Sequence, residues 1–475
     1  MLNQNIQYDI CIIGAGAGGL SVASGAAQLG LKVALIEGNN MGGDCLNYGC
    51  VPSKSLLSSA KHYYMAKHSQ QFGFAITPPQ VEIKNVMQKV HEVMAKIAPH
   101  DSVERFEGLG VKVYRGYGSF IDENTVSVNK QLFKAKYFVI ATGSSPVIPP
   151  ITGLNTVAYL TNETIFDLQE TPEHLIVIGG GPIGCELAEA FAMFGIKTSI
   201  LSLSKILPKD EPDMVEVLRG EILKTGIDLY EDISITEISK NNKEINVIIK
   251  NGNSESTISG SHILIATGRK PNLEKLNLAV ANIKYNKKGV EVDTRLRTSN
   301  KQVFAIGDAS IGYQFTHIAS YHAGIVIRNI IFRQRAEVNY KAMPWVTYTY
   351  PELAHCGLSE DEARKTIGNI KVTEFEYQEN DRAQAERASI GKIKLITTTK
   401  GIVLGVSILG LNAGELLAPW IDLINRGEVV KALTKNIIPY PTLSEINKQV
   451  IGEYYKPILF SNKVKFLVKF LKIFW

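Results

Sequence analysis

Tyr8-Asp-Ile-Cys-Ile-Ile13 is an apolar run rich in β-branched residues, and it leads without a break into Gly14-Ala-Gly16-Ala-Gly-Gly19. Helix-forming residues follow to about Leu29. A second apolar run, Lys32-Val-Ala-Leu-Ile-Glu37, ends in an acid 18 residues after the last glycine. This order predicts a β–turn–α–β unit. A turn without Cβ atoms lets the backbone approach a pyrophosphate, and the helix after it offers free amides and a partial positive charge to that anion. Glu37, at the end of the second strand, suits a ribose hydroxyl. Because strand, helix and acid are all in place, Gly14, Gly16, Gly19 and Glu37 read as a dinucleotide site rather than a ligand-free turn.

The same pattern recurs. Leu175-Ile-Val-Ile178 leads into Gly179-Gly-Gly181-Pro-Ile-Gly184, a helical stretch runs from Cys185 to Phe194, and Lys197-Thr-Ser-Ile-Leu201 is strand-like. Two such units imply two nucleotides, one flavin and one nicotinamide. The second unit has Ser202 where an acid would select NADH, with Lys205 three residues on. A missing carboxylate removes repulsion toward a 2′-phosphate, and Ser and Lys can bind one. The reading therefore leans to NADPH over NADH, with Lys205 as a solvated loop charge the alternative.

Val139-Ile-Ala-Thr142-Gly143 and Ile263-Leu-Ile-Ala-Thr-Gly268 are further strand-to-turn signals. Val303-Phe-Ala-Ile-Gly307-Asp308 ends in an aspartate placed to bond a sugar or polyol. Residues 53–105 read as largely helical, interrupted at 73–80. Beyond about residue 340, strand-like stretches (371–377, 392–398, 402–410) alternate with amphipathic helices (359–366, 413–427), a separate α+β domain.

At 475 residues, and roughly 150 per domain, the chain has room for about three domains. Five cysteines are too few for a secreted disulfide framework and too scattered for zinc-ribbon spacing, so no metal site is expected. The net charge of +5 is uneven: residues 451–475 hold five lysines and one acid, which leaves +1 for the rest. A nucleic-acid surface is therefore not expected. No apolar run of about 18 residues occurs, and Met1 to Ile10 lacks a signal-peptide pattern, so a cytoplasmic chain is expected.

Gly42-Gly43-Asp-Cys45-Leu-Asn-Tyr-Gly49-Cys50-Val-Pro52-Ser-Lys54 is the most informative stretch. Two cysteines five apart at a helix start can meet if the backbone there is irregular, as Gly49 and Pro52 allow. A helix N-terminus lowers a thiol pKa. The pair reads as a redox couple beside a flavin; two buried or metal-binding cysteines are the alternative, but no further Cys or His stands nearby at zinc spacing.

Taken together, residues from about 8 to 450 resemble the pyridine nucleotide–disulfide oxidoreductases, the family of lipoamide dehydrogenase, glutathione reductase and mercuric reductase. Both glycine turns, the cysteine stretch, both Ala-Thr-Gly turns, Gly307-Asp308 and Pro441-Thr-Leu-Ser-Glu445 carry the resemblance. It implies an α/β fold with two Rossmann-like dinucleotide-binding domains (FAD and NAD(P)) plus a C-terminal α+β dimerisation domain. The expected boundaries are 1–150 for the FAD domain, 151–272 for NAD(P), 273–340 for the FAD return segment, 341–455 for dimerisation and 456–475 for a basic amphipathic tail. A homodimer is implied, with Tyr440 and Glu445 completing the partner's active site. The resemblance further implies hydride transfer from NAD(P)H to the flavin, then reduction of a Cys45–Cys50 disulfide through Cys50, with Cys45 as the interchange thiol. Lys54 would lie by the flavin, paired with Glu186. Gly43, Thr142, Gly143, Gly268 and Asp308 would line the cofactors, Asp308 on the ribityl chain.

The chain departs from the disulfide reductases in its C-terminal motif. Disulfide reductases read His-Pro-Thr there, and the His is their acid–base; here Tyr440-Pro441-Thr keeps Glu445 but not the His. An unperturbed His titrates near 6.5 and a Tyr near 10. Loss of general acid–base help lowers rates by about 10²–10⁴-fold. Electron flow to the disulfide needs no such group, but thiol substrates do. Tyrosine in that position, Ser202 and Asn380-Asp-Arg-Ala383 resemble the mercuric reductase branch. That branch carries a C-terminal cysteine pair, and none follows Cys356 here. A small acceptor (metal ion, quinone or other oxidant) is therefore expected, with lipoamide-type thiol exchange the alternative and a non-catalytic flavin-binding protein a weaker one. Cys11, Cys185 and Cys356 read as core.

In the tail, Lys465, Lys469 and Lys472 share one helical face, opposite Leu467, Leu471, Phe474 and Trp475. That pattern suits peripheral contact of residues 457–475 with an anionic membrane surface, on its inner face. The alternative is packing on the chain's own dimer.

Overall fold

The computed structural model describes residues 7–242 and 244–474. Expectations that fall on residues 1–6 and Trp475 lie outside the described residues. The chain packs as two compact units: Met1–Ser59, Pro79–Gly179 and Ile235–Val338 form one, and Ala60–Pro78, Gly180–Ser234 and Asn339–Trp475 the other.

The first unit is built on a seven-stranded sheet. Its parallel part runs Lys112–Arg115, Val33–Glu37, Tyr8–Ile13, Gln131–Ile140, with Val303–Ala305 also paired to Gln131–Ile140. Thr125–Val128 and Ser119–Asp122 extend it as antiparallel strands. Ile10, Cys11, Ile12 and Ile13 are all buried, because both faces of the sheet are covered: Ile10 and Ile12 pack with Leu20, Ala23 and Val326 of two helices, Cys11 and Ile13 with Phe120, Val126 and Phe133 of the antiparallel strands. Register decides where function can sit. Ile13 is level with Ile36 and Ile140, and Ile140 with Ala305. Gly14, Glu37, Thr142–Gly143 and Gly307–Asp308 therefore leave the sheet at one edge, the carboxyl edge where open α/β sheets bind ligands. His174–Ile178 pairs in parallel with His262–Ile265 in the same unit, Ile178 level with Ile265.

In the second unit Lys197–Leu201 pairs in parallel with Asp228–Tyr230. A five-stranded antiparallel sheet runs Pro344–Thr347, Glu352–Gly357, Val403–Gly410, Lys392–Thr398, Ile370–Glu376. Helices cover it around a core that includes Trp420, Tyr377, Leu395 and Ile446. Trp420 donates its ring N–H to Asn447 at 2.7 Å, so the largest core side chain is also satisfied. Cys11, Cys185 and Cys356 are buried, as expected of core thiols. Among the described residues no helix is long and apolar enough to cross a membrane.

Candidate active site

The first glycine turn is shaped by close backbone approaches. Gly14 has φ +109°, and a Cβ on it would stand 2.4 Å from the carbonyl oxygen of Ala141. A Cβ on Gly19 would stand 1.9 Å from Gly14's carbonyl oxygen. The turn therefore closes on the first Ala-Thr-Gly segment and on its own helix, Ala17–Gln28. Glu37, buried, accepts the Ala15 N–H at 2.6 Å and the Asn39 N–H, which ties the end of its strand to the turn. Thr142 donates its hydroxyl to the Asn272 carbonyl at 2.8 Å, and the Gly143 carbonyl accepts the Asn272 N–H.

Asp308 is half-buried, and burial pushes its carboxyl up while Ser144 and Arg269 oppose the shift. Ser144 donates to it at 2.5 Å. Arg269, one residue past Gly268, donates to the Ser144 hydroxyl and carbonyl and pairs with Asp44 at 2.9 Å. A Cβ-free turn at a helix N-terminus, with carboxylates at the same edge of the sheet from two of its strands, fits FAD: amides for pyrophosphate, Glu37 and Asp308 for hydroxyls.

The cysteine loop is anchored to that turn. Gly43 has φ +60°, and a Cβ there would come within 2.6 Å of Gly16 Cα. Asn47 locks the bend by donating to the carbonyls of Met41 and Gly43 at 3.0 and 2.8 Å. Cys45 lies in the short helix Gly43–Asn47, and Cys50 opens the 18-residue helix Cys50–Lys67. Both thiols are free, Cys45 half-buried and Cys50 exposed. Cys50 Sγ sits 3.2 Å from the hydroxyl of Thr316, first residue of the helix Thr316–Ile330. A hydrogen bond from Cys45, then Thr316, then the charge of Lys54 draw the Cys50 thiol down to about 6 against burial. The same bond and burial hold Cys45 well above the usual thiol range. The pair is thus asymmetric: Cys50 ionises first and Cys45 keeps its proton.

The second turn repeats the first. Gly179 has φ +128°, with Ala266's carbonyl oxygen 2.2 Å from where its Cβ would be. Gly268, in the same Ala-Thr-Gly turn, has φ +127°. In the second unit Gly181 caps the helix Pro182–Met193, on which Gly184 is buried. A Cβ on Gly180 would meet Ser202 Oγ at 2.5 Å, so Ser202 abuts this turn. Lys205 does not stand clear of other charges: it pairs with Asp232 at 3.0 Å and Glu231 at 3.5 Å. Glu186 is buried on the same helix and accepts the Tyr348 N–H at 2.9 Å.

Tyr440 is exposed and donates its hydroxyl to Asp381 at 3.0 Å. That bond, then the charges of Asp381 and Glu445, raise its pKa. Glu445 opens the helix Glu445–Leu459. The neighbouring Asn380 is buried, caps the helix Asp381–Ala385 and donates to the Thr442 carbonyl and Gln449. The Asn380–Ala383 stretch therefore braces the Tyr440 segment. Sequence reasoning missed Thr316, Ser144, Arg269 and Asp381 as partners. Ser144 and Arg269, each next to a recognised Ala-Thr-Gly turn, and Asp381, inside the Asn380–Ala383 stretch, carried a positional signal; Thr316 carried none.

Comparison with known proteins agrees with this geometry. The family model described as pyridine nucleotide-disulphide oxidoreductase matches residues 8–323, and that family's dimerisation domain matches residues 343–451. Mercuric reductase from Staphylococcus aureus is 32% identical over 93% of this chain and 82% of its own length. Dihydrolipoyl dehydrogenase from Geobacillus stearothermophilus is 34% identical over 93% of this chain and 95% of its own. Among solved structures, the Cu(II) complex of the HOCl-induced flavoprotein disulfide reductase RclA from Escherichia coli is 26% identical with a TM-score of 0.85, over 95% of this chain and 99% of that one. The dimerisation domain supports assembly as a homodimer. The chain belongs to the pyridine nucleotide-disulphide oxidoreductases, enzymes that use FAD and NAD(P)H.

Proposed function

We propose that this enzyme uses NADPH to keep the Cys45–Cys50 pair reduced and that the dithiol passes two electrons to a small oxidant, a soft metal ion first among them. The observation that carries this reading is Tyr440 held by Asp381. A phenol whose pKa is raised further by a carboxylate is no base at neutral pH, so proton exchange with a thiol substrate lacks its usual partner. A metal ion has no thiolate leaving group to be protonated, and its binding displaces the thiol proton to water. Bound FAD supplies the chemistry that turns hydride from NADPH into dithiol electrons. The chain's own part is to position thiols and protons: Cys50 is the ready thiolate, and Cys45, the thiol that meets the acceptor, gives its proton to water as it binds. Lys54 with Glu186, Tyr440 with Glu445, and the glycine and carboxylate positions named above keep the roles read for them in the family. The names of the relatives support the acceptor class, one a mercuric reductase and one a disulfide reductase in complex with Cu(II). Retention of Glu445 and likeness to dihydrolipoyl dehydrogenase favour lipoyl thiols as the second reading.

The test is NADPH oxidation by the FAD-loaded protein with Hg(II), Cu(II), a soluble quinone or lipoamide, alongside Tyr440→His. Turnover with a metal ion, slow lipoamide turnover, and a lipoamide rate raised about 100-fold by histidine support the proposal. Fast lipoamide turnover by the natural protein would overturn it.

The tail adds a location to this proposal. The helix Asn462–Leu471 buries none of its residues, and Phe466, Ile473 and Phe474 are each more than 70% exposed beside Lys465, Lys469 and Lys472. A cytoplasmic enzyme held on the inner, anionic face of a membrane through residues 457–475 accounts for that exposure. Deleting these residues should release the protein from phosphatidylglycerol vesicles; equal cosedimentation without them refutes the contact.

A further inference from the structure

In the second nucleotide unit the strand Lys197–Leu201 ends at Ser202 with no carboxylate of its own, yet a carboxylate is present. Ser202 N–H bonds the Tyr230 carbonyl and Ile233 N–H bonds the Ser202 carbonyl, which seats Glu231 beside Ser202 from the neighbouring strand. Glu231 is buried. It accepts the Ile206 N–H at 2.8 Å and the Arg219 Nε–H at 2.8 Å, and Lys205 lies 3.5 Å away. The Gly180 carbonyl takes the Leu207 N–H at 2.9 Å. Leu207 is held at φ +46°, where leucine is rarely found. The loop from Ser202 to Leu207 is thus pinned between the glycine turn and Glu231. The loop's cation keeps freedom: Lys205 is 66% exposed and its nearest partner is Asp232, itself 57% exposed.

We propose that Asp232 sets the coenzyme preference of this site by competing with the nucleotide's 2′-phosphate for Lys205. This rests on the NADPH reading of Ser202 and Lys205. Glu231 is the positioning residue: spent on Ile206 and Arg219, it keeps the loop and the two cations beside Ser202. Lys205 and Arg219 together balance Glu231 and Asp232, so the four side chains carry no net charge before the nucleotide arrives. A 2′-phosphate gains Lys205 only as Asp232 gives it up. An exposed ion pair is weak and a phosphate is the stronger acceptor, so the exchange favours NADPH but is taxed by Asp232. NADH, with only a hydroxyl there, is indifferent to it.

Asp232 occupies a left-handed conformation, φ +55°, that asparagine tolerates as well, so Asp232→Asn changes charge without changing the turn. On the FAD-loaded dimer, adenosine 2′,5′-bisphosphate and 5′-AMP serve as competitive inhibitors against the reduced coenzyme. Asp232→Asn is expected to tighten the bisphosphate and lower the NADPH KM by about threefold to tenfold, with AMP, NADH and kcat within twofold. Lys205→Met is expected to weaken the bisphosphate and to erase the effect of Asp232→Asn in the double variant. Equal shifts for both nucleotides, or no shift, in Asp232→Asn while Lys205→Met still costs NADPH affinity would overturn the role of Asp232 alone. A natural enzyme indifferent to Lys205→Met would overturn the NADPH reading and this proposal with it.

Discussion

The Cys50 thiol offers the sharpest test of how the fold makes a nucleophile. Its pKa falls from 9.0 to about 6, and three groups pull it down in the order Cys45, Thr316, Lys54. A hydrogen bond to an ionised group contributes about 1.5–3 kcal/mol, and exposure of Cys50 trims that to roughly 1 kcal/mol. At about 1.4 kcal/mol per pKa unit, Thr316→Val should move the thiol up by roughly 0.7 to 1 unit. At pH 6 the thiolate fraction would then drop from about one-half to about one-tenth, which slows alkylation by iodoacetamide about fivefold at that pH and leaves the rate near pH 9 almost unchanged. Cys45→Ala should shift the profile further and Lys54→Met less. The sign for stability follows. A depressed pKa adds stability that is full above the ordinary thiol value and is lost as pH falls through about 6. Relative to Cys50→Ser, the reduced protein should gain Tm as pH rises from 6 to 9. An unmoved alkylation profile in Thr316→Val, or a larger shift from Lys54→Met than from Cys45→Ala, would refute this assignment of causes.

Three further outcomes can be checked independently. Gly43→Ala places a Cβ within 2.6 Å of Gly16 Cα at φ +60°; it should cost about 1–3 kcal/mol and weaken FAD retention at least tenfold, measured by flavin fluorescence after gel filtration. Arg269→Met leaves Asp44 and Ser144 without the cation that joins them; stability should fall by about 1–3 kcal/mol in urea, with FAD affinity lost alongside. Glu189 is buried, and desolvation lifts its carboxyl from 4.5 to about 8. A raised carboxyl pKa gives stability that is whole below 4.5 and drains away as pH climbs through 8. Calorimetry should show Glu189→Gln losing less Tm than the natural protein between pH 5 and 8, and parallel curves would refute the assignment.

What could be read from the sequence was set by local chemistry. Buried parallel strands are continuous apolar runs, so the strands before Gly14, Gly143, Gly179, Gly268 and Asp308 were visible with their ends. The Cys45–Cys50 loop was visible because glycines, a proline and two thiols crowd into one short stretch. The causes of reactivity were not visible, because they come from register. Thr316 reaches Cys50 across 266 residues and Asp381 reaches Tyr440 across 59. No periodicity encodes either meeting. Asn380–Ala383 could be noticed as a similarity to one branch of the family, but its work of bracing Thr442 and binding Tyr440 exists only in three dimensions.

The two nucleotide turns show how far a duplicated pattern can be trusted. At the backbone the repeat holds to atomic detail: Gly14 and Gly179 both take positive φ and both close on the carbonyl of the alanine in an Ala-Thr-Gly turn. That closure explains why the Ala-Thr-Gly segments come in a pair as the glycine turns do. Backbone shape needs a missing Cβ, and a missing Cβ is legible in one letter. The charge at the end of the second strand need not repeat, because it can be supplied from either of two strands. Glu37 comes from its own strand, and its carboxylate is taken up by Ala15 and Asn39. Ser202 has none of its own, but the strand bonded to it through Tyr230 leads into Glu231, whose carboxylate is taken up by Ile206 and Arg219. A reading that searches only the strand's own last residue finds an acid in the first case and concludes there is none in the second. The end of such a strand is therefore read together with the strand level with it: Tyr230 is level with Leu201, and Glu231 follows it.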